Sequence, residues 1–116
     1  MIIGIQGSRN FDEYNVFLRA MGTALSMMDD ADSQFTIYSA GPAKVNSMAL
    51  EFANVSERSL KARGIRVKVT KVPASFIKEK IQDLEYFAYF SKPKEPISEL
   101  VKYAEGKDAE VGVYRY

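Results

Sequence analysis

Three short turns carry the residues whose types and spacing suit chemistry. The first is Gly7-Ser8-Arg9-Asn10, directly after the apolar run Met1, Ile2, Ile3 and Ile5. A glycine at a strand's end lets a ligand approach the backbone, and a helix that follows favours anions at its amino end. Ser8 supplies a hydroxyl, and Arg9 a permanent charge on a planar donor fork suited to phosphate or carboxylate. The second turn is Ser39-Ala40-Gly41-Pro42-Ala43, followed by Lys44 and Asn46. The third is Ser91-Lys92-Pro93-Lys94-Glu95-Pro96. The first turn also has a plainer reading, in which Gly7 and Ser8 reverse the chain and Arg9 pairs with a surface acid.

Composition removes several chemistries. The 116 residues contain neither cysteine nor histidine. Disulfides, thiolate and imidazole metal sites, cysteine nucleophiles and Ser-His-Asp catalysis are therefore excluded, and no cofactor or metal is implied. Acid-base work would fall to Asp, Glu, Lys or Tyr. A net charge of +1 gives no overall field toward nucleic acid or an anionic membrane. The charge is uneven: residues 1–53 carry 3 basic and 6 acidic side chains, residues 54–116 carry 13 and 9. That places the basic surface in the second half. No apolar run has the length of a membrane span and no leader pattern opens the chain, so it reads as cytoplasmic, in the host's cytoplasm if viral.

The turns need a frame that brings them together. Tyr14, Phe17, Leu18, Met21, Leu25 and Met28 are spaced by threes and fours, which predicts an amphipathic helix of about Asp12 to Met28 with Asp12 as N-cap. Phe35-Thr36-Ile37-Tyr38 predicts a second strand. A second helix with Val45, Met48, Ala49, Phe52 and Leu60 on one face should end near Arg63, with Gly64 as its left-handed cap. Ile65 to Val72 alternates with period two, which predicts an edge strand. Arg66, Lys68 and Lys71 would protect that edge from pairing, the alternative being a nucleic-acid surface that Arg58, Lys61 and Arg63 would extend. Phe76, Ile77, Ile81 and Leu84 suggest a shorter helix. Tyr86 to Phe90 should be a strand buried on both faces. Pro96 is expected to open a last helix carrying Ile97, Leu100, Val101 and Ala104, before a final strand with Val111, Val113 and Tyr114. The sum is a single α/β domain over residues 1–116. It is a three-layer Rossmann-like fold with a five-stranded parallel sheet in the order 3-2-1-4-5, which lines the three turns along one crevice.

Gly7-Ser8-Arg9-Asn10-Phe11 after a first strand resembles the Gly-Ser-Arg-x-aromatic signature of the SLOG superfamily. Its small YspA-like and YpsA-related members occur in bacteria and as stand-alone copies in phages. In that family the second turn runs Gly-Gly-Ala-x-Gly-x-Asp. Here Ala40-Gly41-Pro42-Ala43-Lys44-Val45-Asn46 keeps only Gly41, and the Gly-Thr pair of the third turn is missing. The resemblance implies a crevice that binds nucleotides or nucleotide-derived molecules. It does not extend to the Pro-Gly-Gly-x-Gly-Thr loop and Arg-Glu pair of the cytokinin-activating LOG enzymes.

The function expected on these grounds is a binding module for a nucleotide or an ADP-ribose-like molecule. Gly7 and Gly41 would permit close approach, and Ser8 and Ser39 would donate hydrogen bonds. Arg9 and Lys44 would meet negative charge, Asn46 and Ser91 would contact ribose or base, and Asn10 and Pro42 would complete the two turns. Two alternatives stand beside it. One is a degenerate nucleoside-phosphate N-glycosidase using Asp12 or Glu95. The other is a phage protein that contacts a host protein or DNA through its surface. Self-association as a homo-oligomer is compatible with the family.

Overall fold

Alternation of apolar strands with amphipathic helices builds the layers. The computed structural model describes residues 1–116. The strands are β1 (Ile2–Gly7), β2 (Gln34–Ser39), β3 (Arg66–Lys71), β4 (Tyr86–Ser91) and β5 (Val111–Arg115). The helices are α1 (Tyr14–Ser26), α2 (Ala43–Ala62), α3 (Ala74–Lys80) and α4 (Glu99–Gly106). All neighbouring strands pair in parallel, in the order β3-β2-β1-β4-β5. This is the three-layer Rossmann-like arrangement expected from the sequence. The chain winds one way from β1 to β3 and then the other way to β4 and β5, so the reversal lies between β1 and β4.

Each face of the sheet has its own core. Ile3, Ile5, Phe35 and Ile37 meet Phe17 and Met21 of α1 and Val45, Ala49 and Phe52 of α2. On the opposite face Phe87 and Tyr89 meet Ile77 of α3 and Leu100 and Val101 of α4. β4 feeds both cores, which is why its aromatic run is buried at all six positions. β3 at one edge alternates between exposed and half-buried residues, with Arg66, Lys68 and Lys71 exposed. Gly64 at φ +78° closes α2: the Ile65 N–H bonds the Leu60 carbonyl at 2.8 Å, and the Gly64 N–H the Lys61 carbonyl at 2.9 Å.

Two helix starts differ from the sequence expectation, each for a long-range reason. α1 begins at Tyr14 behind Glu13, and Asp12 is no cap. Phe11 is fully buried, with its ring 5.1 Å from that of Phe90. That burial pins the connecting loop into the core and delays the helix, while the Asp12 carboxylate is taken by Lys92 Nζ at 2.7 Å. α4 begins at Glu99 behind Ser98, whose hydroxyl accepts the Val101 N–H at 3.3 Å. A serine hydroxyl satisfies a free helix donor, which Pro96 does not. Pro96 instead lies in the preceding loop, its carbonyl accepting from the Tyr89 hydroxyl at 3.4 Å.

Candidate functional site

Parallel pairing brings the three turns to one edge of the sheet. The Ala40 N–H bonds the Ile5 carbonyl at 2.9 Å, and the Ser8 N–H bonds the Phe90 carbonyl at 2.8 Å. The first turn therefore sits between the other two. Its glycine serves packing: a Cβ on Gly7 would lie 2.0 Å from Val45 Cγ2, so α2 presses directly on the backbone there. Gly41 lies against the first turn in the same way, its added Cβ falling 3.3 Å from the Gly7 nitrogen. The two glycines let the turns and α2 close on each other.

The polar residues of the second turn face inward. Ser39 is fully buried and Asn46 nearly so. The Ser39 hydroxyl donates to Asn46 Oδ1, and Asn46 Nδ2 donates to the Gly41 carbonyl at 2.9 Å. The Asn46 amide thus holds the turn's shape. Pro42 is the N-cap residue of α2, and Lys44 is exposed on its first turn. Ser91, at the end of β4, is fully buried, and its hydroxyl has no hydrogen-bond partner. Arg9 is exposed, and its guanidinium makes neither a hydrogen bond nor an ion pair.

At the β1/β4 reversal, three donors converge on one carboxylate. Glu95 Oε1 accepts from the Ser8 hydroxyl and from the Lys92 backbone N–H, both at 2.6 Å, and Oε2 accepts from Asn10 Nδ2 at 3.2 Å. The hydrogen bonds from Ser8, Lys92 N–H and Asn10 hold the Glu95 carboxyl below its ordinary value. The neighbouring Lys92–Asp12 bond lowers Asp12 and raises Lys92. Arg115 fastens the far side of the same loop, donating to the Pro93 carbonyl at 2.5 Å and to the Glu95 carbonyl.

A concavity of about 540 Å³ opens on the α3/α4 face. Gln6 of β1 contributes to its floor. Ser75 and Lys78 of α3, Ser98, and Glu99, Lys102 and Tyr103 of α4 stand around it, with Lys102 Nζ 3.7 Å from Glu99 Oε1. Gln6 Oε1 accepts the Ser98 hydroxyl at 2.7 Å, which orients the amide so that Nε2 keeps its donors for other partners. Lys78 Nζ rests 4.9 Å from the Tyr103 ring centroid. None of the residues expected from the sequence lines this space. One signal pointed to it: Gln6 is the lone polar side chain in the run from Met1 to Gly7.

No protein-family profile, curated protein or solved structure matches this chain. The SLOG resemblance therefore rests on the Gly7–Phe11 motif, and fold and geometry carry the functional reading.

Proposed function

We propose that the chain is a binding module for a nucleotide or nucleotide-derived small molecule, seated at the carboxyl edge of the sheet. The observation that carries this reading is the cavity of about 540 Å³ at the strand reversal. Its size is that of small-molecule sites, and open α/β sheets bind ligands at this place. Its chemistry suits a phosphorylated ligand with a ribose. Lys78 supplies positive charge and Lys102 a charge shared with Glu99 at 3.7 Å, the Gln6 amide and the Ser75 hydroxyl supply directional hydrogen bonds, and Tyr103, with Lys78 and Lys107 near its ring, closes one side. Arg9 and Lys44 are exposed cations on the turns after β1 and β2, outside the lining of this cavity.

The same geometry speaks against the glycosidase alternative. Asp12 and Glu95, its candidate acids, are both held ionised by their hydrogen-bond donors. A carboxylate with a lowered pKa is a poor proton donor near neutral pH, so neither residue suits the general-acid role.

Thermal denaturation in the presence of AMP, ADP, cyclic nucleotides and ADP-ribose tests the proposal. Ligand at a hundred times its dissociation constant should stabilise the fold by about 2.7 kcal/mol. The shift should disappear in a Lys78→Ala/Lys102→Ala double variant. No shift with any of these ligands at millimolar concentration contradicts the proposal.

A further inference from the structure

We propose that the outer edge of β3 is a docking strand for an extended, acidic segment of a partner protein, which joins the sheet as one more strand. The site shares no lining residue with the α3/α4 cavity and does not rest on the nucleotide reading.

Hydrogen-bond parity leaves that edge open. The N–H groups of Arg66 and Val72 donate to the Ser33 and Ser39 carbonyls on the β2 side, at 2.9 and 3.0 Å. Along a parallel strand, alternate residues turn their N–H and C=O to the same neighbour. Arg66, Lys68 and Thr70 therefore bond β2. Val67, Val69 and Lys71 turn theirs outward, where the sheet has no further strand. An extended peptide can meet that row with a ladder of its own.

Each face of the edge has a concavity for alternate side chains. On the α2 side, about 470 Å³ is bordered by Ala53, Ile65 and Val67 together with Glu57, Lys61 and Arg66. Glu57 and Lys61 are of opposite sign, so this groove suits small apolar side chains. On the opposite face, about 400 Å³ is bordered by Gln34, Thr36, Tyr38, Lys68 and Thr70, with no acidic residue among its lining. Side chains alternate along a strand, so Arg66 and Lys68 share that second face. Neither forms an ion pair. The matching strand alternates apolar residues toward α2 with carboxylates toward Arg66 and Lys68.

The same cations select among occupants. A second copy pairing β3 with β3 would set cation against cation, the usual guard of a sheet edge. A nucleic acid would meet the charges but leave the outward carbonyls unpaired. An acidic strand satisfies both.

Amide hydrogen exchange followed by NMR, with a synthetic peptide alternating glutamate and valine as the probe, tests this. The Val67 and Val69 amides should exchange fast in the free protein and at least about tenfold more slowly at saturating peptide. The Lys68 and Thr70 amides, already bonded to β2, should change little. Arg66→Glu/Lys68→Glu, at two exposed positions, should weaken the glutamate peptide at least about tenfold and take up the corresponding lysine–valine peptide instead. The proposal is overturned if the glutamate peptide gives no protection of Val67 and Val69 at millimolar concentration. Tighter binding of a single-stranded oligothymidylate than of the peptide also overturns it, making this edge a nucleic-acid surface. So does protection of the same two amides by dimerisation of the free protein, which would make a second copy the occupant.

Discussion

The Ser8 hydroxyl donates to Glu95 Oε1 at 2.6 Å, joining residues 87 positions apart in the chain. This bond, with those from the Lys92 N–H and Asn10, favours the ionised carboxylate in the folded protein. A carboxyl whose pKa is lowered on folding stabilises the fold above its unfolded value and loses that contribution as pH falls through the folded value. The ordinary value for Glu95 is 4.5, so the loss should set in below that pH. Acid unfolding of Glu95→Gln, followed by circular dichroism, should therefore have a shallower dependence on pH below this point. An identical acid limb in both proteins would show that the bond contributes nothing.

Gly7 is predicted to be intolerant of alanine for reasons of packing. The added Cβ would lie 2.0 Å from Val45 Cγ2. Overpacking of this kind costs about 1–3 kcal/mol. Val45→Ala in the same chain removes the clashing methyl, so the two changes should couple favourably in a denaturant double-mutant cycle. Strict additivity would place the cost of Gly7→Ala elsewhere.

Asn46 separates a structural role from a ligand-binding one. Its side chain is bonded at both ends, to Ser39 and to the Gly41 carbonyl. Asn46→Ala leaves the buried Ser39 hydroxyl without its acceptor and should cost about 1–3 kcal/mol in urea unfolding. Unchanged stability together with weakened ligand binding would return Asn46 to the role its sequence position suggested.

Ser91 predicts the opposite sign. Its hydroxyl is buried and makes no hydrogen bond, a state that carries a desolvation cost. Ser91→Ala keeps the Cβ and removes the unpaired group, so the urea midpoint should rise by an amount equivalent to about 1 kcal/mol, with an unchanged slope. A fall in the midpoint would mean that the hydroxyl has a partner in solution.

The fold was legible in the sequence because its signals are local. The steps of three and four from Tyr14 onward, the alternation from Ile65 to Val72 and the unbroken aromatic run at Tyr86–Phe90 each identify an element without knowledge of its neighbours. Gly64 was equally readable as a cap. The start of α1 was not, because Phe11 burial and the Lys92–Asp12 bond depend on the strand packed beside it. The candidate site was half legible for the same reason. Glycines, serines and Asn46 mark where the chain turns, but only pairing of the strands shows that Val45 fills the space at Gly7. Glu95 sits in a turn without the family's Gly-Thr pair, and its partners Ser8 and Asn10 lie more than eighty residues earlier. Lys78, Lys102 and Tyr103 read as ordinary helix-surface residues until α3 and α4 are set side by side.

The cavity between those helices is the proposed ligand site. Chemical-shift mapping of the wild-type protein with AMP and ADP-ribose reads it directly. Saturable shifts centred on Gln6, Ser75, Ser98 and Tyr103, lost in the Lys78→Ala/Lys102→Ala variant, are the expected result. Shifts confined to the β3 edge around Arg66 and Lys68, or none at millimolar ligand, would contradict it.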